Sequence, residues 1–320
     1  MPVVLLSGFL GSGKTTLINA MLRHSAMADT AIAVNEFGAV ALDQHLIARD
    51  EGDVLVLANG CLCCNLGDDA ETAVMRLFTR REEGGLPPFR RLIVEPSGLA
   101  DPAPFAQAIL RNPMMARVMR LSSIIAVVDA LFGARHIAQQ NEAAGQVAIA
   151  DRIVLTKSDL ADPADLRAVL VGLNAHAPIL TASHGEIDPH LLFAADFLDP
   201  DLPPETIRSA LRAESVSPHT RSAEAVVLTC DHPLNWPSLE EFLRRIRLGH
   251  ADALLRLKGL VAIQGEDRPL LLQGIHHVLH PPILLDDWPD ADHSTRIVLI
   301  LRGLDPANIR SDWTAFTEKA

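Results

Sequence analysis

Three of the four cysteines in the chain lie within four positions, as Cys61, Cys63 and Cys64 of the stretch NGCLCCN. Three thiolates in one loop can supply most of a tetrahedral shell for a soft or borderline metal ion. Zn²⁺ is the first expectation, and Co²⁺ or another transition metal is an alternative. The same cluster could also serve as a thiol redox switch or simply pack in the core.

A second group of chemically capable residues lies in GFLGSGKTT, where Gly8 to Thr15 match the phosphate-binding pattern G-x-x-x-x-G-K-S/T. The glycines let successive backbone N–H groups turn toward a phosphate, and the following helix N-terminus adds a favourable field. Lys14 can reach the terminal phosphates, and Thr15 can bind Mg²⁺. The residues of this loop predicted to contact the nucleotide are Gly8, Gly11, Ser12, Gly13, Lys14, Thr15 and Thr16.

A carboxylate and a glycine follow the next apolar run, in the stretch FRRLIVEPSGLADP. Glu95 ends that run, where its carboxylate can hold the Mg²⁺ shell. The Gly98 amide can sense a γ-phosphate, which is how a nucleotide-dependent loop becomes ordered. Lys14, Thr15 and Glu95 are therefore the predicted catalytic residues, and Thr15 and Glu95 the predicted Mg²⁺ ligands.

Guanine recognition is predicted in ADRIVLTKSDL, where Thr156, Lys157 and Asp159 follow an apolar strand. A carboxylate beyond a strand can accept both N–H groups of guanine's Watson–Crick edge, and the lysine stem can lie along the ring. Such a site rejects adenine, because its carboxylate would be left without those donors. The later stretch ILTASHG can place the Ala182 or Ser183 backbone against the guanine carbonyl. The expected nucleotide is therefore GTP.

These residues must be positioned by strands of one sheet and by the helices that follow them. PVVLLS is typical of a buried strand, and TTLINAML has helical spacing. Asp53 to Ala58 form another predicted strand, and DDAETAVMRLF a predicted helix, so the cysteines fall in the loop between them. Because strand-to-helix loops of a parallel sheet emerge at its carboxyl edge, thiols and nucleotide should share that edge.

The expected fold class is α/β, with a P-loop NTPase domain of mainly parallel sheet at residues 1–198. Residues 199–222 are rich in Pro, Ser and charge and form the predicted linker. Residues 223–320 are predicted to form a smaller α+β domain of strand, helix, three strands (LLRLKGLVAI, PLLLQGIHHVL and TRIVLILRGL) and helix. Cys230 is expected in its core, and His276, His277 and His280 at its surface or in packing contacts.

Composition excludes several classes of partner. The 320 residues are 48% hydrophobic and carry a net charge of −12 without a long basic run, which argues against binding nucleic acid. No segment has eighteen consecutive apolar residues, so a membrane helix is not expected. The chain runs from Met1 into an apolar segment that ends in glycine, without the pattern of a targeting peptide. We expect a cytoplasmic protein with reduced thiols.

The order of these motifs resembles the CobW-type P-loop GTPases, a family of proposed metal chaperones and insertases. The resemblance includes GFLGSGKTT, NEFG at Asn35 to Gly38, CLCC, EPSGLADP, TKSD and TASHGEID. It continues through LLRLKGLVAI, LLLQGIHH and RIVLILRGLD, so it covers nearly the whole chain. It implies that NEFG belongs to the first switch segment, that the cysteines bind metal, that Glu95 takes the Walker B place, and that residues 223–320 are a CobW-type C-terminal domain.

The leading hypothesis is a GTP-hydrolysing metallochaperone that passes its ion to a client metalloprotein. Its intrinsic hydrolysis is expected to be slow, because no residue in the sequence is identified as the one that positions the attacking water. A metal-independent regulatory GTPase with a cysteine redox switch is one alternative. A P-loop kinase acting on a small molecule is the second alternative, and it would make TKSD accidental.

Overall fold

The structure is a computed structural model that describes residues 1–34, 56–57, 78–79, 81–84, 88–174, 177–193, 224–250, 253–289 and 291–318. Contacts divide the chain into two compact units. The first contains Met1–Val169 and Pro178–Asp196, and the second contains Leu170–Ala177 and Phe197–Ala320.

The first unit is built on seven parallel strands in the order β3-β2-β4-β1-β5-β6-β7. The strands are β1 Pro2–Ser7, β2 Thr30–Val34, β3 Val56–Leu57, β4 Arg91–Glu95, β5 Arg120–Asp129, β6 Arg152–Thr156 and β7 Ile179–Thr181. Apolar residues follow one another without alternation in β1, β5 and β6, because helices cover both faces of a parallel sheet. The predicted parallel α/β fold is confirmed.

Helices follow these strands at the carboxyl edge. They are α1 Lys14–Met21, α2 Pro102–Arg111, α3 Pro113–Val118, α4 Gly133–Gln139, α5 Asn141–Ala148, α6 Ala164–Leu173 and α7 Pro189–Phe193. Two of them begin with a capping side chain and a proline: Asp101 Oδ1 accepts from Ala103 N at 2.9 Å, and Asn112 Oδ1 accepts from Met114 N at 2.9 Å. Leu17 and Ile18 of α1 are fully buried against the sheet. The apolar contacts fix α1, and with it the phosphate loop, on the sheet.

Several sequence predictions fall wholly or partly outside the described residues, including the helix DDAETAVMRLF, of which only Phe78 is described, and the linker at residues 199–222. The strand predicted at Asp53 to Ala58 is described only at Val56–Leu57, where β3 pairs in parallel with β2. Cys61, Cys63 and Cys64 lie outside the described residues, and so does the NEFG segment. Across the described ranges, no helix has the length and apolar character that crossing a membrane requires.

The described elements of the second unit are β8 Glu224–Cys230, α8 Trp236–Gly249, β9 Leu254–Ile263, β10 Glu266–Ile275, β11 Val278–Leu279, β12 Ile283–Leu284, β13 Thr295–Leu301 and α9 Pro306–Thr317. The strands form an antiparallel sheet in the order β11-β10-β9-β13-β8, with β12 paired to β10. Phe242 of α8 and Trp313 of α9 pack together with ring centroids 5.3 Å apart. Cys230 is 6% exposed in the same core, as predicted.

One strand prediction in this unit is wrong. The run PLLLQGIHHVL was predicted as a single strand, whereas the chain reverses at His276 and His277. β11 then pairs antiparallel with the end of β10, with Ile275 opposite Val278. His276 adopts φ 50°, a left-handed conformation that a tight hairpin turn requires. Both histidines are half-buried, in agreement with the predicted packing or surface role.

Candidate nucleotide site

The phosphate loop leaves the end of β1, the central strand of the parallel sheet. β1 lies between β4 and β5, and Ser7 at its end pairs with Ala126 of β5. Because all the strands are parallel, their carboxyl ends lie at one edge. The predicted residues at the ends of β1, β4 and β6 therefore meet around this loop.

Gly8 begins the loop at a position that excludes any side chain. Its φ is +150°, and a Cβ there would lie 2.4 Å from Val127 O and 2.8 Å from Ser12 Oγ. Ser12 N donates to Phe9 O at 3.1 Å and closes the following turn. The backbone can pass this close to β5 only because residue 8 is glycine.

Lys14 is the first residue of α1 and is only 7% exposed. Its Nζ donates to Gly8 O at 2.8 Å and to Phe9 O at 3.4 Å. Gly13, with φ 94°, precedes the helix as its N-cap, without a capping side chain. The ammonium group and the helix N-terminus thus bring positive charge to the same loop, as an anion site requires.

The predicted Mg²⁺ ligands lie on two adjacent elements. Glu95 ends β4 and is 5% exposed, and the preceding residue, Val94, pairs with Leu5 of β1. Thr15 is the second residue of α1 and is half-buried, whereas Thr16 is exposed. A hydroxyl and a carboxylate are hard oxygen donors, so the two residues suit Mg²⁺ chemically.

The segment after β6 is joined directly to the phosphate loop. Thr156 Oγ1 donates to Ser12 O at 2.6 Å, and Lys157 Nζ donates to Gly11 O at 2.7 Å. The sequence motifs place two of these residues in the phosphate loop and the other two in the segment predicted to recognise guanine. The structure brings them into contact.

Asp129 is a residue of this site that sequence analysis missed. It ends β5, its side chain is 2% exposed, and its Oδ2 lies 3.5 Å from Lys157 Nζ. Its Oδ1 accepts a hydrogen bond from Phe132 N at 2.6 Å. The sequence pattern that could have identified Asp129 is an acidic residue at the end of the run SSIIAVVD, and the same pattern identified Glu95.

The predicted guanine acceptor Asp159 is exposed, and its Oδ2 lies 4.0 Å from Nδ1 of His184. The expectation for the Ala182 and Ser183 amides is not supported by their hydrogen bonds. Ala182 N donates to Leu155 O at 2.8 Å, and Ser183 N donates to Glu186 O at 3.2 Å. Both amides already have partners in the protein, and neither is available to a guanine carbonyl in this conformation.

Gly98 lies close to the phosphate loop, as predicted from its place after Glu95. A Cβ at Gly98 would approach Leu10 N to 2.8 Å. The Gly98 carbonyl accepts a hydrogen bond from Gln146 Nε2 at 3.1 Å, and Gln146 is 1% exposed. Gln146 could not be identified from the sequence, because a single glutamine within a helix has no distinguishing pattern.

The described residues contain no group of three or more His, Cys, Asp or Glu side chains that could hold a metal ion. The predicted transition-metal ligands, Cys61, Cys63 and Cys64, lie outside those residues.

The parallel sheet, the phosphate loop and the adjoining β6 segment define a P-loop nucleotide-binding protein. Residues 2–181 match the CobW/HypB/UreG nucleotide-binding domain, and residues 223–317 match the Cobalamin synthesis protein cobW C-terminal domain. The chain belongs to this family and carries both of its domains, which confirms the resemblance found in the sequence.

Proteins of known family are similar to this one along nearly the whole chain. The zinc chaperone YjiA of Escherichia coli is 34% identical over 304 residues, with 93% of each chain covered. The zinc chaperone CobW of Pseudomonas aeruginosa is 29% identical over 351 residues, with 97% of this chain and 89% of that protein covered. The crystal structure of Zn(II)-bound YjiA GTPase from E. coli matches with a TM-score of 0.72 at 28% identity, covering 99% of this chain and 98% of that one.

Proposed function

We propose that this protein is a GTP-hydrolysing metallochaperone, whose nucleotide state controls a transition-metal site at Cys61, Cys63 and Cys64. The observation that supports this most is the pair of hydrogen bonds from Thr156 and Lys157 to the phosphate loop, at 2.6 and 2.7 Å. These bonds hold the phosphate loop against the segment proposed to recognise the base. The two together are suited to bind the phosphates and the base of one nucleoside triphosphate.

Guanine is the base that this segment selects. Asp159 can accept the two N–H groups of the guanine edge, and the stem of Lys157 can cover one face of the ring. Adenine lacks those two donors and would leave the carboxylate without hydrogen bonds. A carboxylate that a bound base covers but does not hydrogen-bond costs roughly 1–3 kcal/mol of binding free energy. That is enough for a preference for GTP over ATP of about ten- to a hundredfold.

Lys14 and the start of α1 supply the positive charge for the terminal phosphates. In phosphoryl transfer the protein acts mainly through positioning and electrostatic stabilisation, and the γ-phosphoryl group passes to water. The Gly98 N–H, next to the loop at Leu10, is the backbone donor that we assign to the γ-phosphate. The nucleotide state is thereby linked to the segment that follows β4.

Thr15 and Glu95 are the residues that would hold Mg²⁺. Their donors are hard oxygens, and a carboxylate as buried as that of Glu95 is best stabilised by a nearby cation. Mg²⁺ held by these two residues would supply positive charge that neutralises part of the phosphate charge.

The transition metal is the cargo, and Zn²⁺ is the ion we propose. Three thiolates in one loop suit tetrahedral coordination by soft ligands, and the relatives YjiA and CobW are named zinc chaperones. β3, which precedes the cysteines, is parallel to β2, and three strand spacings separate it from β1. Three spacings amount to about 14 Å between the strand before the cysteines and the strand before the phosphate loop.

The coupling between the two sites need only be modest. An affinity for metal that differs about 100-fold between nucleotide states requires roughly 3 kcal/mol of coupling free energy. Hydrolysis would then release the ion to a client metalloprotein. Metal ligation requires reduced thiols, so we also propose that the protein acts in the cytoplasm.

The test is a titration of Zn²⁺ into reduced protein that carries either GDP or a non-hydrolysable GTP analogue. We expect about one ion per chain, bound through sulfur, with an affinity that depends on the nucleotide. By linkage, Zn²⁺ must change the affinity for the analogue by the same factor. Tight Zn²⁺ binding with the same affinity in both nucleotide states would support the metal site and contradict the chaperone mechanism.

Two further results would replace the proposal. GTP hydrolysis that responds to thiol oxidation in protein without metal affinity would indicate a redox-regulated GTPase. Production of ADP from ATP only when a small acceptor molecule is added would indicate a kinase.

A further inference from the structure

We infer that Gln146 is a positioning residue for nucleotide hydrolysis, holding the Gly98 segment where its N–H can meet the γ-phosphate. The inference rests on the proposed function, because it concerns the same site. It adds a residue that belongs to none of the sequence motifs and would act only through the backbone of Gly98.

The side-chain amide of Gln146 holds two carbonyls of one turn. Nε2 donates to Gly98 O at 3.1 Å and to Ala100 O at 3.0 Å. The turn itself is closed by Ala100 N, which donates to Ser97 O at 2.9 Å. An amide NH₂ group has two donors, so both are used on this turn. A buried side chain with two such bonds fixes the position of the turn.

The phosphate loop restrains the same turn from another side. An ideal Cβ at Gly98 would lie 2.8 Å from Leu10 N and 2.9 Å from Leu10 Cδ2. The turn therefore lies close against the loop on one side, and moving away from Gln146 on the other would break two hydrogen bonds. Gly98 N is placed by these two restraints together.

Gln146 also connects this turn to the base-recognition segment. It lies on α5 Asn141–Ala148, and the chain continues from α5 directly into β6, which ends at Thr156. Asp151, between these elements, is fixed by its Oδ2, which accepts from Ile124 N at 2.8 Å. Both donors of the Gln146 amide are engaged with carbonyls of the turn, so the role that we infer for this glutamine is to hold the turn.

The test replaces Gln146 by methionine, which has a similar size and no N–H donors. We expect kcat for GTP to fall about tenfold or more, a smaller loss than removal of a direct transition-state donor causes. Affinity for a non-hydrolysable GTP analogue should fall several-fold, whereas affinity for GDP should stay unchanged, because GDP has no γ-phosphate. Gln139→Met is the matched control, since Gln139 is exposed at the end of α4 and its Oε1 bonds only Arg135 among the contacts described, at 3.2 Å.

A merely structural role predicts a different result. In that case the substitution would lower the melting temperature and weaken the binding of GDP and of the GTP analogue equally. That outcome would overturn the inference. If the unmodified protein hydrolyses GTP and Gln146→Met has the same kcat, the inference would be overturned and the proposed function would stand. Absence of GTP turnover in the unmodified protein would overturn the proposed function, and this inference with it.

A second measurement on the unmodified protein covers the case in which the variant does not fold. The side-chain N–H signals of Gln146, observed by ¹⁵N NMR, should shift when GDP is replaced by the GTP analogue. The signals of Gln139 should stay in place. Unmoved Gln146 signals would overturn the inference.

Discussion

Lys157 and Gly11 are 146 positions apart in the chain and are joined by a hydrogen bond of 2.7 Å, from Nζ to the loop carbonyl. Lys157 adopts φ 56°, a left-handed conformation that costs about 1 kcal/mol or more for a residue with a side chain. Its contacts with Gly11 O and with Asp129 at 3.5 Å help to offset that cost. The segment proposed to recognise the base is thereby fixed on the loop proposed to bind phosphate.

We expect Asp159→Ala to remove the preference for GTP over ATP, because its carboxylate is the proposed acceptor for guanine. Competition binding of GTP and ATP measures the effect. Asp165→Ala is the control, since Asp165 is an exposed carboxylate in the first turn of α6. Equal affinities for GTP and ATP in the unmodified protein would contradict guanine recognition altogether.

Asp129→Asn should weaken nucleotide binding and destabilise the protein by about 1 kcal/mol. The substitution keeps a side-chain oxygen for Phe132 N and removes the charge beside Lys157. The loss is modest because the Lys157 side chain is one-third exposed, so solvent screens the pair. Denaturant unfolding and GTP titration measure the two effects. An effect on stability without any effect on GTP affinity would assign Asp129 to the fold alone.

Lys14→Ala should reduce affinity for GTP roughly ten- to a hundredfold, the value of one or two charge-assisted hydrogen bonds. Isothermal titration in the presence of Mg²⁺ measures the loss. Arg23→Ala removes an exposed cation just beyond α1 and should have no such effect. Unchanged GTP binding and turnover in Lys14→Ala would mean that the phosphates bind elsewhere.

Intrinsic hydrolysis of GTP should be slow, below about 1 s⁻¹, because no water-positioning residue is identified for this site. Single-turnover measurements without any partner protein test this expectation. A faster rate would show that the chain completes its own catalytic site.

Cys63→Ser should sharply weaken binding of Zn²⁺ to reduced protein, because it removes one of three thiolates in the loop. Cys230→Ser is the control. Cys230 is buried in the core of the second unit, and its Sγ donates to His232 O at 3.4 Å. Metal titration with a competing chelator measures both variants, and equal losses would place the metal site elsewhere.

Much of the fold could be predicted from local patterns. The glycine spacing from Gly8 to Gly13, with an apolar strand before it and a helical pattern after it, identified the phosphate loop. The hairpin at His276 and His277 could not be predicted in this way. Its flanking residues are apolar on both sides, and the reversal depends on a left-handed residue that is not glycine.

The sequence by itself determined most of the order of strands and helices, the phosphate loop and the cysteine cluster, and it predicted the base-recognition segment, because each is encoded by neighbouring residues. Only the tertiary structure decided that Asp129 faces Lys157, that Ala182 N is already bonded to Leu155, and that Gln146 holds the turn at Gly98. The first two pairs join the ends of different strands of one parallel sheet, and the third joins a helix to the turn after another strand. Strand order brings them together, and strand order follows from packing between elements far apart in the chain.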